Sequence, residues 1–344
     1  QMTQNGYDLT NTLTGTTGLT GVKTWIDDGE DVRPDSITLT LYRQAGAAGE
    51  KEAVAGAEPE WSKDGSEWTY VYEDLPKYDG NGVKYIYSVS EDVPSGYELT
   101  EQNDTSLTNT QLTDVSVSKI WGTADGAQIP EYVTVALYRA KDQNGGHMSP
   151  VLDGDGNQIT MNLTADTGWQ GTFRDLLKYD PDTGERYYYG IAEVYVSGGN
   201  GETGSLGDYI VKYNGDEANG FVITNITPIE ISGTKTWIDG SNASGTRPES
   251  IELTLYRSVA GGAEETVDAE AVWTKDGDVW TYVYSNLPMT DDEGNIYTYR
   301  VEESQPEAVN GENDTYQMTQ NGYDLTNTLT GTTGIRGTKV WRDN

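Results

Sequence analysis

Cysteine is absent from the 344-residue chain, and histidine occurs once. Without thiols the chain forms neither a disulfide framework nor a cysteine metal site. The single histidine, His147, lies in a glycine-rich segment, which argues against histidine-based catalysis and against a zinc site. We therefore expect no metal and no cofactor, and we expect small domains without disulfides to need another kind of brace.

Positive charge is also scarce, because 22 Lys and Arg residues stand against 56 Asp and Glu, a formal net charge of −34. The acidic residues are spread along the whole chain, so no basic stripe is available to neutralise phosphates. Nucleic acid and the membrane surface are therefore not expected as partners. The sequence has no signal peptide and no apolar run of membrane-spanning length. We expect Gln1 and Asn344 to be internal points of a longer polypeptide that carries its export signals elsewhere.

Phenylalanine occurs twice, whereas the chain has 24 Tyr, 9 Trp, 41 Gly and 11 Pro. Aromatic and β-branched residues favour strands, and frequent glycine and proline supply the turns between them. The composition predicts an all-β fold of many short strands.

Short motifs recur in the same order three times along the chain. Each copy begins with Lys-x-Trp, continues with a strand that ends in Leu-Tyr-Arg, and closes with a Thr-Asn pair. Self-similarity at a regular spacing indicates repeated structural units. The copies predict three complete modules, at residues 19–112, 113–227 and 228–330.

The two ends of the chain carry incomplete copies of the same pattern. Residues 1–18 are expected to be the last strand of a preceding module, and residues 331–344 the first strand of a following one. Residues 2–18 recur unchanged as residues 318–334. This identity predicts a parent protein in which a larger unit is repeated.

Alternation of apolar and polar residues predicts how the strands pack. Ile37, Leu39 and Leu41 share one face of their strand, while the residues between them share the other. Turn sequences at residues 79–82, 182–184 and 292–295 lie between such runs and predict hairpin loops. With about seven to nine strands per module, antiparallel two-sheet sandwiches of immunoglobulin-like type are the economical architecture.

Three polar residues recur in every module at positions where alternation predicts the interior. In the first module Lys23 shares a strand face with Trp25, and Glu91 and Asn109 likewise share faces with apolar neighbours. A lysine, an acid and an amide are costly to bury unless they are paired or react. The complete set is Lys23, Glu91 and Asn109; Lys119, Glu193 and Asn225; and Lys235, Glu303 and Asn327.

This combination of side chains points to a specific reaction. Burial lowers the pKa of a lysine and raises that of a glutamic acid, so both can be neutral near pH 7. A neutral amine is a nucleophile that can attack the asparagine carboxamide carbon. The adjacent glutamic acid can hydrogen-bond the carbonyl oxygen and shuttle protons until ammonia leaves. The product is a neutral amide crosslink.

A competing interpretation places the lysines at the surface, beside a tryptophan, with the glutamates at the rim and the asparagines in turns. One module alone would favour that interpretation. The same parity in three modules favours the buried triad.

The ordered motifs KTWIDD, LTLYR, W-x-Y-x-Y, Y-x-Y-x-V-x-E and LTNT resemble those of the collagen-adhesin B-type (CnaB-like) domains of Gram-positive surface proteins and pilins. The resemblance extends over nearly the whole chain. It implies a CnaB-type sandwich with an intramolecular isopeptide bond between the first and last strands. It further implies that the lysines and asparagines named above are crosslinked and that Glu91, Glu193 and Glu303 are the catalytic acids. Asn11 and Lys339 would belong to crosslinks of neighbouring modules.

The middle module departs most from the shared pattern. It has Leu176-Leu177 where the others have Leu-Pro, and a glycine-rich insertion through residues 197–220. In the third module Met289 and Thr290 replace a Lys-Tyr pair. The segment Asp153–Asn157 is similar to the start of a calcium loop, but its later positions do not fit, which favours a hairpin tip. The acidic segment Asp27–Asp31 is expected to be a solvated loop.

Three classes of function remain open from the sequence. The first is a structural stalk of an extracellular bacterial surface adhesin, which would be anchored to the cell wall through parts outside this segment. The second is a subunit or segment of a pilus-like filament, whose partners would be like chains as well as neighbouring modules. The third is a module that binds host glycan or matrix protein. An enzyme acting on outside substrates is the least expected class, because the predicted reaction is a single self-crosslinking event within each module.

Overall fold

The computed structural model describes residues 2–124, 126–143, 146–197, 206–309 and 314–342. Within these ranges the chain forms strands, loops and two short 3₁₀ turns, at Glu30–Val32 and Leu206–Asp208. No helix in the described part is long and apolar enough to cross a membrane. The predicted all-β fold is confirmed.

The chain begins with a two-stranded sheet that pairs with no other strand in the described ranges. Strands β1 (Met2–Asn5) and β2 (Asp8–Asn11) form an antiparallel hairpin. Its turn contains Gly6 at a φ of 63°, a left-handed conformation that glycine adopts without steric cost.

A first sandwich follows the hairpin. One of its sheets has the order β6-β7-β3-β10-β9, and the facing sheet has the order β5-β4-β8. The strands are β3 (Thr16–Ile26), β4 (Leu39–Ala45), β5 (Lys51–Ala53), β6 (Glu60–Asp64), β7 (Glu67–Pro76), β8 (Tyr85–Glu91), β9 (Tyr97–Gln102) and β10 (Ser106–Gly122).

The second sandwich begins on the latter half of β10. Its first sheet has the order β14-β10-β17-β16, and in its second sheet β11 pairs with β15 along one edge and with β12 and β13 along the other. The strands are β11 (Tyr132–Ala140), β12 (Ser149–Pro150), β13 (Thr160–Thr164), β14 (Gln170–Leu177), β15 (Tyr188–Val196), β16 (Ile210–Asp216) and β17 (Gly220–Ile226).

The third sandwich returns to the pattern of the first. Its sheets have the orders β21-β22-β18-β25-β24 and β20-β19-β23. The strands are β18 (Pro228–Ile238), β19 (Leu253–Ser258), β20 (Glu265–Val267), β21 (Val272–Asp276), β22 (Val279–Pro288), β23 (Thr298–Glu303), β24 (Asp314–Asn321) and β25 (Asp324–Gly331).

Strand β10 belongs to two sandwiches at once. Its first half pairs with β3 and β9, and its second half pairs with β14 and β17. Asn109 and Lys119 therefore lie on one unbroken strand, about 33 Å apart at the usual rise per residue. Between the second and third sandwiches the strand is interrupted at Thr227, and Pro228 begins β18.

The cores consist of alternate residues of facing strands. In β7 the buried residues are Trp68, Tyr70, Tyr72 and Leu75. The buried positions change from even to odd residue numbers between Tyr72 and Leu75. A β-bulge lies at this point, and Asp74 within it has a φ of 52°. Asp175 and Asn286 have the same conformation in the other two sandwiches. Aspartate and asparagine tolerate this left-handed region better than most residues, which explains the Asp or Asn before each recurring leucine.

At one paired position of the first sheet, a glycine lies opposite a larger residue, and the strand that carries the glycine differs between the first two sandwiches. Gly21 lies opposite Tyr70, and a Cβ on Gly21 would lie 2.2 Å from both the tyrosine ring and the Thr105 carbonyl. In the second sandwich the same pair is Val117 and Gly171. The larger side chain of the pair has thus moved to the other strand, and each glycine leaves room for the residue opposite it.

The predicted hairpin loops need one correction. The turn at residues 79–82 closes a small hairpin through the Tyr78–Lys84 bridge. However, the strands that it joins, β7 and β8, lie in opposite sheets. Turn chemistry identifies where the chain reverses but not whether the flanking strands pair with each other, because that depends on the sandwich topology.

Replacing Gly21 with valine is expected to destabilise the first sandwich by roughly 1–3 kcal/mol, since the side chain has no free space. Its melting temperature in scanning calorimetry should fall by about 5–15 °C. Gly80→Val is the control, because a Cβ at Gly80 meets no atom within 4 Å. Equal melting temperatures for the two variants would contradict the packing argument.

Candidate functional site

The first and last strands of each sandwich lie side by side and run in the same direction. In the first sandwich Asn109 lies opposite Trp25, and Leu107 lies opposite Lys23. Residues two apart on a strand share a face, so Lys23 and Asn109 are diagonal neighbours on the inner face. The register repeats in the other sandwiches, where Asn225 lies opposite Trp121 and Asn327 opposite Trp237.

The glutamate of each predicted triad comes from the opposite sheet. Glu91 ends β8, Glu303 ends β23, and Glu193 lies within β15. Each sandwich therefore brings three strands that are distant in sequence to one point in its core. The structure places all nine predicted residues in these three clusters.

In the first sandwich the triad is completely enclosed. Lys23 and Asn109 are buried, and the Glu91 side chain is inaccessible to solvent. Glu91 Oε2 lies 3.2 Å from Lys23 Nζ, and Glu91 Oε1 accepts a 2.7 Å hydrogen bond from Asn109 Nδ2. The Lys23 amine also lies 4.5 Å from the centre of the Trp25 ring.

The third sandwich has nearly the same geometry. Glu303 Oε2 lies 3.1 Å from Lys235 Nζ, and Glu303 Oε1 accepts a 2.8 Å hydrogen bond from Asn327 Nδ2. Lys235 Nζ lies 4.6 Å from the centre of the Trp237 ring.

In the middle sandwich the lysine lies further from its acid. Lys119 Nζ is 3.7 Å from Glu193 Oε2 and donates a 3.1 Å hydrogen bond to the Ile120 carbonyl. Asn225 Nδ2 donates a 2.6 Å hydrogen bond to Glu193 Oε1. The departures in sequence thus leave the cluster assembled but loosen its contact between amine and acid.

Burial lowers the pKa of all three lysine ammonium groups. Loss of hydration of the cation is the main cause, and attraction to the facing glutamate opposes it. The resulting pKa is about 8 for Lys23 and Lys235 and about 7 for Lys119. Burial also raises the pKa of Glu193. At pH 7 about half of the Lys119 amine and about a tenth of the Lys23 and Lys235 amines are therefore unprotonated and nucleophilic.

The hydrogen bonds of the acids differ from the expectation in one respect. We expected the acid to bond the asparagine carbonyl oxygen, whereas all three glutamates bond the amide nitrogen. The Oδ1 atoms of Asn109, Asn225 and Asn327 are buried and have no hydrogen-bond partner among the described residues. An ionised carboxylate has no proton to donate, so it pairs with an N–H group, whereas a neutral acid can donate a proton to Oδ1.

Asn11 and Lys339 do not belong to any of the three clusters. Asn11 is exposed on strand β2. Lys339 is exposed in residues 332–342, which contain no strand, and its amine lies over the Trp341 ring at 3.3 Å. Their role in crosslinks with neighbouring modules stays a prediction.

A second cluster beside the triad was missed by the sequence analysis. The Trp25 ring packs edge-on against Trp68 and Tyr97, with ring centres 5.1 and 5.0 Å apart. Tyr97 donates a 3.1 Å hydrogen bond to Asp27, and Arg33 holds the same carboxylate with two hydrogen bonds of 2.7 and 2.8 Å. These contacts fix the aromatic wall next to the lysine.

The third sandwich repeats this cluster with Trp237, Tyr316, Asp239 and Arg247. The sequence signal was the aspartate that follows Lys-x-Trp-Ile, together with a recurring Arg-Pro pair. In the middle sandwich Thr123 takes the position of the aspartate, and Trp121 packs against Trp169 and Tyr209. The acidic segment expected to be a solvated loop thus contains one buried carboxylate, that of Asp27.

The lowered pKa of Lys119 predicts a pH-dependent stability in a variant that cannot crosslink, Asn225→Ala. Between about pH 7 and pH 10 the unfolded chain binds a proton that the folded chain does not, so the free energy of unfolding rises with pH. The rise should be on the order of 2–4 kcal/mol, measured by calorimetry on the transition that this substitution lowers. Adding Lys119→Met should abolish the slope, and an unchanged slope would contradict the assignment.

Comparison with known proteins gives the family. Three segments, residues 19–110, 115–226 and 231–328, match the model of the Cna protein B-type domain. A collagen adhesin of Staphylococcus aureus is 30% identical over 355 aligned residues, which cover 99% of this chain and 26% of the adhesin. The chain thus spans about a quarter of that relative's length.

Among the solved structures that match are two B repeat units of the collagen binding protein of Staphylococcus aureus. The match has 24% identity and a TM-score of 0.25, and it covers 92% of this chain and 74% of that one. The pilus adhesin SpaC from Lactobacillus rhamnosus GG, in its open conformation, matches at 13% identity and a TM-score of 0.29, covering 91% of this chain and 41% of that one. The family match through most of the length confirms the resemblance seen in the motifs: the chain belongs to the Cna protein B-type domain family.

Proposed function

We propose that the chain is a structural segment of an extracellular surface adhesin or pilus shaft, built from modules at residues 19–112, 113–227 and 228–330. Each module is closed by an amide bond between its lysine and its asparagine. The observation that carries the proposal is the buried contact of one glutamate with both a lysine amine and an asparagine amide in every sandwich.

The arrangement of each glutamate suits the proton transfers of this reaction. Lysine Nζ attacks asparagine Cγ, forming the new C–N bond and a tetrahedral centre. The carboxyl group lies against the attacking amine through one oxygen and against the leaving nitrogen through the other. It can take a proton from the amine and deliver a proton to the departing nitrogen. One ammonia leaves for each amide formed, and the glutamate is regenerated.

The buried environment favours the product over the reactants. A lysine cation in an apolar core loses its hydration, and attraction to the facing carboxylate offsets this loss only in part. The amide crosslink replaces the ion pair by neutral groups. The aromatic wall of Trp25 and its partners keeps water away from the reacting atoms.

The position of the proposed lysine–asparagine bond would allow it to carry mechanical force. It would join the first and last strands of a module, so force applied along the chain passes directly from one strand to the other. The rest of the module lies in a closed loop. By analogy with disulfides, closing such a loop would stabilise a module by about 4–5 kcal/mol.

The terminal hairpin supports linkage to further modules, and it leaves the filament alternative open. Strands β1 and β2 pair in the same register as the matching parts of β24 and β25. Leu325 is 2% exposed in the third sandwich, whereas its counterpart Leu9 is 63% exposed. The hairpin therefore has the shape of a last-strand element without a first strand beside it. We propose that Asn11, and in the same way Lys339, react within modules completed by neighbouring chain or by a like chain.

Intact-mass spectrometry of the folded chain tests the crosslinks. We expect a mass lower than that of the sequence by one ammonia for each of three bonds. Glu91→Gln should restore one ammonia, because glutamine cannot transfer the protons. Glu98→Gln, an exposed glutamate on β9, is the matched control and should leave the mass deficit unchanged. A full sequence mass for the unmodified chain would exclude the proposed bonds.

Single-molecule stretching tests the mechanical role. The wild-type modules should show no release of their internal loops. The Glu91→Gln variant should gain roughly 30 nm of extension on unfolding, since about 86 residues at about 3.5 Å each are freed. The same gain in the wild-type chain would show that the first module is not closed.

A further inference from the structure

The joint between the first and middle sandwiches contains a charged contact around Asp28. This residue lies in the loop after β3, and its carboxylate accepts hydrogen bonds from Lys178 and from the Tyr179 hydroxyl of the middle sandwich. Arg186 lies 3.9 Å away from the same carboxylate. The Asp28 backbone N–H also donates a 3.0 Å hydrogen bond to Gln111, in the shared strand β10.

These groups are held from several sides, which distinguishes the contact from a chance surface pair. The Lys178 side chain is 15% exposed, and its backbone N–H donates a 2.9 Å hydrogen bond to the Gln111 carbonyl. Arg186 is positioned by a 3.2 Å ion pair with Glu217. The β10 strand tethers the two surfaces close to each other, so the contact forms within one chain and at a high effective concentration.

The matching positions at the other joint are uncharged on both sides. Five residues after its lysine, the first module has Asp28 and the middle module has Ala124. The basic and aromatic pair Lys178 and Tyr179 is replaced in the third module by Met289 and Thr290. An acid therefore faces basic residues at the first joint, whereas Ala124, Met289 and Thr290 occupy the matching positions at the second.

The second joint uses close packing. Thr290 is completely buried, and a Cβ added to Gly122 would lie 2.3 Å from its hydroxyl oxygen. A salt bridge between Lys212 and Asp292 lies further out on the surface. Tyrosine in place of Thr290 would not fit against Gly122. Methionine and threonine in place of Lys178 and Tyr179 would remove the two hydrogen bonds that the Asp28 carboxylate accepts from them.

We propose that Asp28 and the patch formed by Lys178, Tyr179 and Arg186 are a docking surface that fixes the angle between the first module and the module that follows it. The partner of the acidic loop is a basic and aromatic patch on the next module of the same chain. This proposal concerns the joints and does not depend on whether the isopeptide bonds form.

Distance measurements between spin labels test the docking surface in the full-length chain. The absence of native cysteine allows nitroxide labels at introduced cysteines alone. Ala55→Cys with Asp166→Cys spans the first joint, and Asp166→Cys with Ala260→Cys spans the second; all three residues are exposed. Double electron–electron resonance should give a narrow distribution for the first pair. Asp28→Lys should at least double its width and leave that of the second pair unchanged.

Two further variants make the test specific. Lys178→Glu removes the attraction from the other side and should broaden the first distribution to a similar extent. Asp31→Lys is the matched control, since it lies on the same loop, is exposed and changes the charge equally. The docking surface is refuted if Asp28→Lys leaves the width unchanged, or if Asp31→Lys broadens it as much.

Discussion

The cost of burying a lysine amine is the constraint on which the rest of each sandwich depends. Lys23 and Lys235 are fully buried and Lys119 nearly so, and loss of hydration is the main influence on their pKa. A core that contains such a group must supply an opposite charge or convert the amine into something neutral. The glutamate supplies the charge, and in the proposed reaction the neighbouring asparagine would convert the amine into a neutral amide. The aromatic side chains around them exclude the water that would otherwise solvate the cation.

Parallel pairing of the first and last strands brings the lysine and the asparagine of each cluster together. Parallel neighbours need a long connection, and here the entire module forms that connection. A bond between these strands would therefore enclose nearly all of the fold. Because β10 serves as the last strand of one sandwich and the first strand of the next, Asn109 and Lys119 are joined by a single strand. Tension between the two proposed bonds would pass along that strand alone.

In the middle sandwich the lysine, glutamate and asparagine cluster lies in a different arrangement of strands and neighbouring side chains. Its strand β13 pairs with β11 in the second sheet, whereas the corresponding β6 and β21 pair in the first sheets of their sandwiches. Thr123 stands where the other sandwiches have the aspartate that holds the tryptophan, and Trp121 packs against Trp169 and Tyr209. With the amine further from its acid, loss of hydration is less compensated, which agrees with the lower pKa of Lys119.

The sequence by itself determined the β-sandwich class, the repeated order of strands and the nine residues of the three clusters, because alternation along a strand reports directly which side chains share a face. It also placed the turns correctly in the chain. Only the tertiary structure decided which atoms meet. Examples are the hydrogen bond between Asn109 and Glu91, the ion pair of the buried Asp27 with Arg33, and the contact of Asp28 with Lys178. These contacts join residues that are far apart in sequence or lie in irregular loops. Periodicity carries no information on such contacts, since they depend on how two sheets and two modules are set against each other.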